Sequence, residues 1–111
     1  MHGLSVRWSL TDAPTDVLDR LRDYVENESH AKFAGLSGLR FKSWRAREGE
    51  WFEGTYVFVS SEARAAFQAD FEPRAADVPV TAMVGVAPEV EPFDVVAVVR
   101  GPAGFKSAAR F

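Results

Sequence analysis

Two segments near the start of the chain show two different hydrophobic periods. Residues 4–10 (LSVRWSL) alternate apolar and polar side chains, which is typical of a strand with one buried face. After the break TDAPT, the apolar residues of segment 17–25 (Val17, Leu18, Leu21, Tyr24 and Val25) recur at helical spacing. We therefore predict a first strand over residues 4–10, and a first helix from residue 17 that frays near residues 27–30 and gives way to a loop.

The stretch FKSWRAREGEWFEGTYVF, residues 41–58, contains two strand-like arms around a turn. It predicts a second strand over 39–47, a turn at EGE and a third strand over 51–59. Ser60 or Ser61 then caps a second helix, which Pro73 stops. The inward side of that helix is expected to carry four residues, Ala63, Ala66, Phe67 and Phe71.

The rest of the chain is rich in valine and predicts two more strands, over residues 80–86 and 93–99, followed by a tail. The resulting order is β-α-β-β-α-β-β. It predicts an α+β fold, the ferredoxin-like β-α-β-β-α-β unit with an extra C-terminal strand, in one domain spanning residues 1–111. Both helices are expected to pack on one face of an antiparallel sheet.

The predicted third strand carries large rings that raise the question of what covers the second face of the sheet. We expect Phe52, Tyr56 and Phe58 on one face, with Trp44 of the second strand beside them. A large exposed apolar patch usually marks an interface. We therefore predict a homodimer through sheet-to-sheet packing, with the ligand pocket between the sheets or between a sheet and its helices. The alternative is that a long loop or the C-terminal tail folds over this face.

Composition excludes several classes of function. The 111 residues include 47% hydrophobic and 26% charged residues, carry a net charge of −3 and lack cysteine. We expect a soluble, cytoplasmic protein that binds neither nucleic acid nor membrane, because a long basic patch and a long apolar run are both missing from the sequence. Two separated histidines give no ligand spacing, so neither a metal nor a cofactor is expected. Three carboxylates around the hairpin, Glu48, Glu50 and Glu53, are interpreted as solvated turn residues.

Two cations are candidates for binding an anionic substrate. Arg7 is expected on the polar face of the first strand, and Lys42 is expected on the same face from the second strand. A cation in a barrel stabilises an enolate or a carboxylate, so Arg7 is a candidate catalytic residue and Lys42 a candidate substrate-binding residue. The alternative is a solvated strand charge, or an ion pair with Glu53 or Asp94.

Aromatic side chains and one histidine complete the candidate site. Trp44 and Tyr56 are placed to flank a planar substrate, with Tyr56 donating a hydrogen bond to a carbonyl or peroxide oxygen. Phe33 and Phe58 are candidate substrate-binding residues beside them. His30, near the predicted end of the first helix, is a candidate catalytic base. The alternatives are plain packing for the rings, and an exposed histidine whose charge suits a helix C-terminus.

Two adjoining motifs resemble a known family. GLRFKSW (38–44) and GTYVFVSSEARAAF (54–67) resemble the YdhR-type mono-oxygenases of the dimeric α+β-barrel superfamily, most strongly over residues 38–71. The resemblance implies a cofactor-independent mono-oxygenase acting on a small aromatic or polyketide-like substrate in a barrel pocket. A non-catalytic small-molecule-binding or structural dimer of the same fold is the alternative. The chain departs from shorter members of the family at residues 30–37, in the fifth predicted strand and in the tail.

Overall fold

A computed structural model gives the fold and describes residues 1–110. The elements, in chain order, are β1 His2–Ser9, α1 Val17–Tyr24, a π-helical turn Val25–Ser29, α2 His30–Ala34, β2 Leu39–Arg47, β3 Trp51–Phe58, α3 Ser61–Phe71, a 3₁₀ turn Glu72–Arg74, α4 Pro79–Val84 and β4 Glu89–Asp94. The four strands lie in the order β2-β3-β1-β4, and all neighbours are antiparallel. The helices cover one face of the sheet. This is the predicted ferredoxin-like α+β fold.

Strand β1 lies at the centre of the sheet, and its alternation is confirmed. Leu4, Val6 and Trp8 are buried under the helices, because every second side chain of a strand points to the same face. The indole of Trp8 donates a hydrogen bond of 2.9 Å to the hydroxyl of Thr81, which in turn donates to the carbonyl of Ala75 at 2.6 Å. These two bonds satisfy buried polar groups and fix α4 against the sheet.

The hairpin and the helix that follows it are also confirmed, although Ala66, predicted on the inward side of that helix, is exposed. Strands β2 and β3 pair in the predicted register around the EGE turn, with one irregularity between Leu39 and Phe41. The side chain of Ser60 caps α3 by accepting a hydrogen bond of 3.1 Å from the amide of Ala63. None of the helices within residues 1–110 is long and apolar enough to cross a membrane.

The predicted end of the first helix near residues 27–30 is wrong. The helical backbone continues from α1 through the π-helical turn and α2, and it ends at Gly35. In the π-helical turn, the amide of His30 donates to the carbonyl of Val25, five residues back rather than four. Consequently His30 and Phe33, which the sequence placed at a helix end and in a loop, lie on a helix that packs beside β2.

Both valine-rich strands of the C-terminal third were predicted in the wrong place. Residues 79–84 form α4, which begins at Pro79. Proline is favourable there because the first amide of a helix has no partner within the helix. Strand β4 is Glu89–Asp94, which pairs with β1, and the amide of Val95 adds one more bond to the carbonyl of Met1. Beyond that point β1 offers no further partner, so the extra C-terminal strand is absent from the described residues and Val96 is 96% exposed.

The aromatic residues of β3 are buried within the single chain. The expectation that they would be exposed, from which the dimer was predicted, is therefore wrong. Phe52, Tyr56 and Phe58 point towards the helices, where Phe67 of α3 packs on the latter two rings. The face of the sheet away from the helices, here called the outer face, is mixed. One end carries an apolar row of Phe41, Val57 and Phe93, and the other end carries arginines and a glutamate. A partner chain is therefore not needed to bury the rings of β3.

Candidate active site

A cleft of about 1120 Å³ opens between the α1–α2 run, strand β2 and the C-terminal residues 105–110. Its volume is that of a pocket for a drug-sized molecule. Its apolar wall includes Val25, Phe33, Trp44 and Phe52. Its charged lining consists of Arg22, Arg40, Lys42, Arg45, Lys106 and Arg110 and, within residues 1–110, includes no Asp or Glu. Arg22, Arg45 and Arg110 are paired with carboxylates outside the lining, whereas Arg40, Lys42 and Lys106 form no such pair within residues 1–110. An apolar wall with these three cations around it suits a flat molecule that carries negative charge.

The C-terminal segment, residues 105–110, is held over α1 by polar contacts. Arg110 pairs with Asp23 at 3.0 Å and also with Glu26, while the hydroxyl of Ser107 lies 3.3 Å from Nε2 of His30. The tail therefore forms one wall of the cleft, on the helix side of the sheet. The alternative predicted from sequence was a tail folded over the aromatic face. The structure shows part of this arrangement, because residues 105–110 cover one side of the cleft.

The amino group of Lys42 occupies an aromatic cage at the cleft wall. Lys42 and Tyr56 are direct partners in the β2–β3 pairing, and Nζ lies 2.8 Å from the phenolic oxygen. The same nitrogen lies 3.4 Å from the ring centre of Phe33, 4.2 Å from that of Tyr56 and 4.5 Å from that of Trp44. Within residues 1–110, no carboxylate pairs with Lys42. Lys42 is thus half-buried, with its amine among the rings, and it lacks the ionic partner that a buried ammonium normally needs.

A glycine makes the room for this amine. A Cβ atom on Gly54 would lie 3.1 Å from Cε of Lys42 and 3.3 Å from the ring of Tyr56. These distances are tighter than ordinary carbon contacts, so any larger residue would displace one of the two side chains. Glycine inside a strand often marks such a close approach.

The surroundings of the pair favour its neutral form. Burial lowers the pKa of Lys42 well below its ordinary value, and the charge of Lys32 acts in the same direction. Burial also raises the pKa of Tyr56 above the range of a free phenol. The ring faces favour the ammonium by up to about 2 kcal/mol, but taking an unpaired charge out of water costs several kcal/mol, so burial prevails. The site therefore holds an amine and a phenol between which a proton can pass.

The structure brings together four of the residues predicted for the site. His30, Phe33, Lys42 and Trp44 all line the cleft, and the imidazole of His30 lies 6.1 Å from the indole of Trp44. Tyr56, only 3% exposed, lies behind Lys42 and reaches the cleft only through that amine. Its predicted contact with a substrate oxygen is therefore corrected to a contact with Lys42.

Phe58 lies deeper than the sequence indicated. It is 1% exposed, stacks on Tyr56 with ring centres 6.1 Å apart and does not line the cleft. The ring packs against Phe67 instead, at 5.6 Å. Phe58 is thus a core residue that supports the cage from behind.

Arg7 lies on the outer face, across the sheet from Lys42, so the predicted shared face is wrong. Its guanidinium pairs with Glu53 at 3.0 Å and lies over the ring of Trp51 at 4.3 Å. The ion pair with Glu53 is the alternative that the sequence left open. Arg7 therefore contributes to the structure of the outer face, and the cleft draws its cations from other strands and helices.

Glu53 is buried on the outer face, contrary to its interpretation as a solvated turn residue. It accepts hydrogen bonds from Arg45 at 2.6 Å, Ser5 at 2.8 Å, Thr55 at 2.9 Å and Arg7 at 3.0 Å. Burial alone would raise the pKa of this carboxyl, but the four hydrogen bonds outweigh it and lower the pKa to about 2. Within residues 1–110, no cluster of three or more acidic or histidine side chains is placed to hold a metal ion.

Sequence reasoning missed the role of Gly54 and the burial of Glu53, which it named only as a solvated turn residue or a partner of Arg7, and both had a usable signal. Gly54 interrupts a strand of large residues, which indicates a close approach of another group. Glu53 follows from the hairpin register, because a turn at EGE places it directly opposite Arg45. Combining the turn with the pairing register would have found both.

Comparison with known proteins supports the fold. The chain matches no protein-family model and no curated protein sequence, so the YdhR-type assignment is not confirmed. It is similar to the crystal structure of NE2512, a protein of unknown function from Nitrosomonas europaea, with a TM-score of 0.61 and 21% identity over 93% of this chain and 95% of that one. It is also similar to the crystal structure of a monooxygenase from the gene ActVA-Orf6 of Streptomyces coelicolor in complex with nanaomycin D. That match has a TM-score of 0.62 and 13% identity over 90% of this chain and 91% of that one. At these identities the likeness establishes the fold and leaves the reaction open.

Proposed function

We propose that the chain is a cofactor-independent mono-oxygenase acting on a small aromatic or polyketide-like phenol that binds in the cleft. The observation that carries the proposal is the amine of Lys42, caged by rings, hydrogen-bonded to Tyr56 and present at the wall of an aromatic and cationic cleft. The similarity of the fold to that of the Streptomyces coelicolor monooxygenase supports it. Burial lowers the pKa of Lys42 and so increases the share of free amine, which is the form that a general base needs.

The reaction begins when a ring of the substrate packs on Trp44 and its hydroxyl approaches Lys42. The amine takes the phenolic proton, and the new ammonium, together with the guanidinium of Arg40 in the cleft lining, stabilises the phenolate. The electron-rich carbon of the anion then forms a bond to molecular oxygen, and the peroxide receives the proton from Lys42. Loss of the remaining proton on that carbon together with hydroxide gives a carbonyl and water. The sum is CH₂ plus O₂ to C=O plus H₂O. His30 lies nearby as a second proton acceptor.

Oxygen uptake with an anthrone tests this proposal. We expect one quinone per oxygen consumed, and Lys42→Gln should lower the rate by about 100-fold because general-base catalysis is lost. His30→Gln should lower the rate less than tenfold. Arg7→Gln, on the opposite face of the sheet, serves as the control and should keep the wild-type rate. Binding without turnover across a panel of anthrones and phenols would instead establish the alternative, a non-catalytic binding module.

We also propose that the chain forms a homodimer through sheet-to-sheet packing of the outer face. The support is the apolar row across that face, in which Phe41 is 40% and Phe93 is 37% exposed. Isologous packing of two such rows would remove both from water. The polar cluster around Glu53 at the other end would form the rim of the contact.

Sedimentation tests the assembly. We expect a species of twice the chain mass of 12.3 kDa at micromolar concentration. Phe93→Glu should convert it to a monomer, because a charge in the apolar row opposes burial. Val86→Glu, an equally exposed apolar position in the loop after α4, should leave the dimer intact. A wild-type monomer at every concentration would refute the dimer while leaving the cleft of the single chain unchanged.

A further inference from the structure

We propose that Lys42 forms a covalent imine with the carbonyl group of an aromatic aldehyde or ketone bound in the cleft. This activity goes beyond the proposed oxygenation, because it needs no oxygen and leaves a ligand tethered to the chain. It rests on the position of the amine between a phenol, a glycine gap and an open cleft.

The amine meets the requirements of a nucleophile. A lysine attacks a carbonyl only as the free base, and desolvation among apolar groups is a common way to produce that form. The nitrogen of Lys42 lies against three aromatic rings, and its stem runs past Gly54, where a side chain would displace it. Lys32 and Lys106, the other two lysines of the chain, are exposed. The chain thus presents one lysine in a nucleophilic setting and two ordinary ones.

The phenol of Tyr56 orients the amine for the condensation. The lone pair of Nζ adds to the carbonyl carbon, forming the C–N bond while the carbonyl oxygen takes up the electron pair. The nitrogen then loses a proton to the solvent of the open cleft and the oxygen gains one from it, while Tyr56, 2.8 Å from Nζ, orients the amine by a hydrogen bond. The carbinolamine hydroxyl then leaves as water, and C=N remains. The sum is R₂C=O plus H₂N–R′ to R₂C=N–R′ plus H₂O, and no atom is oxidised or reduced.

The cleft selects the chemical class of the carbonyl compound. Rings of Phe33 and Trp44 beside the amine favour a flat aromatic ligand. Cations around the cleft, including Arg40 and Lys106, favour one that also carries a phenolate or carboxylate. A hydroxylated benzaldehyde such as salicylaldehyde is the smallest probe with both properties.

Reductive trapping tests the inference. The protein is incubated with salicylaldehyde at pH 7 without oxygen, reduced with borohydride and analysed by peptide mass spectrometry. We expect an adduct on Lys42 in at least tenfold excess over Lys32 and Lys106, and Lys42→Arg should remove it. Lys32→Arg, the matched control, keeps a positive charge at an exposed position outside the cleft lining and should leave the adduct unchanged. Equal labelling of the three lysines, or labelling of the exposed two alone, would overturn the proposal.

Two further variants separate a chemical role from a structural one. Gly54→Ala displaces the amine, and Tyr56→Phe removes the hydrogen bond that orients it, so each should slow trapping by about tenfold, the value of one hydrogen bond or one small displacement. Gly54→Ala should also move the pH at which labelling is half-maximal, because the amine leaves its cage. Unchanged trapping rates in both variants, with their circular dichroism spectra like that of the wild type, would argue against the caged amine as the nucleophile. Because oxygen is absent, a failure of the proposed oxygenation leaves this result unaffected.

Discussion

The double variant Lys42→Met/Tyr56→Phe is expected to be more stable than the wild type, with a free energy of unfolding about 1–3 kcal/mol higher at pH 7. The reason is that folding takes the amine of Lys42 out of water without an ionic partner. Methionine and phenylalanine fill the same space and need no hydrogen bond. The single variant Lys42→Met should fall between the two proteins, since it leaves the hydroxyl of Tyr56 buried without its partner. Urea unfolding measures all three.

The pH dependence gives this prediction a second readout. The pKa of Lys42 is lowered in the folded protein, so between that value and the ordinary lysine value near 10.4 the unfolded chain binds more protons. Stability of the wild type therefore rises with pH across that window, and the double variant lacks this rise. Lys106→Met, at an exposed position, is the control and should change stability by less than about 0.5 kcal/mol. A double variant less stable than the wild type would identify the cage as a stabilising cation site instead.

If removing the amine of Lys42 makes the protein more stable, that result also supports a functional role for the amine. Residues that a fold retains at a cost to its own stability are typical of active sites. The amine of Lys42 is such a group, whereas Phe58 beside it is ordinary core. The stability measurement thus separates a working amine from a packing residue without any knowledge of the substrate.

The local sequence pattern was sufficient to predict β1 and the β2–β3 hairpin. Strand β1 has a clear alternation of apolar and polar residues, and the hairpin has a single turn sequence, EGE, between its two strands. The local pattern was not sufficient for residues 79–84, since a short apolar run fits a helix as well as a strand, and Pro79 at a helix start is easily read as a strand break. The local pattern also did not give the extent of the first helix, because the π-helical turn interrupts the 3.6-residue spacing of apolar side chains. These errors arise where the decision depends on contacts distant in sequence.

The cleft illustrates the same limit at the level of side chains. Alternation in β3 separates Phe52 and Tyr56 from Glu53, but it does not tell which face the helices cover. That is decided by pairing with β1, which sets Tyr56 opposite Leu4 and Phe52 opposite Trp8. Once the rings of β3 are on the helix side, Lys42 must be there too, because it pairs with Tyr56. Four residues that line the cleft were thus named from sequence as candidates, but Arg7 and Lys42 were separated only by the sheet register.

Glu53→Gln is expected to lower the free energy of unfolding by about 2–3 kcal/mol at pH 7. The carboxylate is 3% exposed and accepts hydrogen bonds from two arginines and two hydroxyls, and the neutral amide accepts them less strongly. Arg7 and Arg45 remain about half exposed, so the substitution does not leave a buried positive charge behind. Glu50→Gln, at a half-exposed ion pair near the hairpin turn, should cost less than about 0.5 kcal/mol and is the matched control.

Acid titration tests the cause of this loss. The pKa of Glu53 lies near 2 in the folded protein and near 4.5 otherwise, so its contribution is complete above about pH 4.5 and disappears as the pH falls towards 2. Wild type and Glu53→Gln should therefore differ most at pH 7 and converge near pH 2 in thermal unfolding. A constant difference at every pH would mean that shape, not charge, makes Glu53 important. Convergence would show that the charge of a buried carboxylate on β3 joins the neighbouring strands β1 and β2 on the outer face. The cleft lies on the opposite, helix side of the same sheet and does not depend on this cluster.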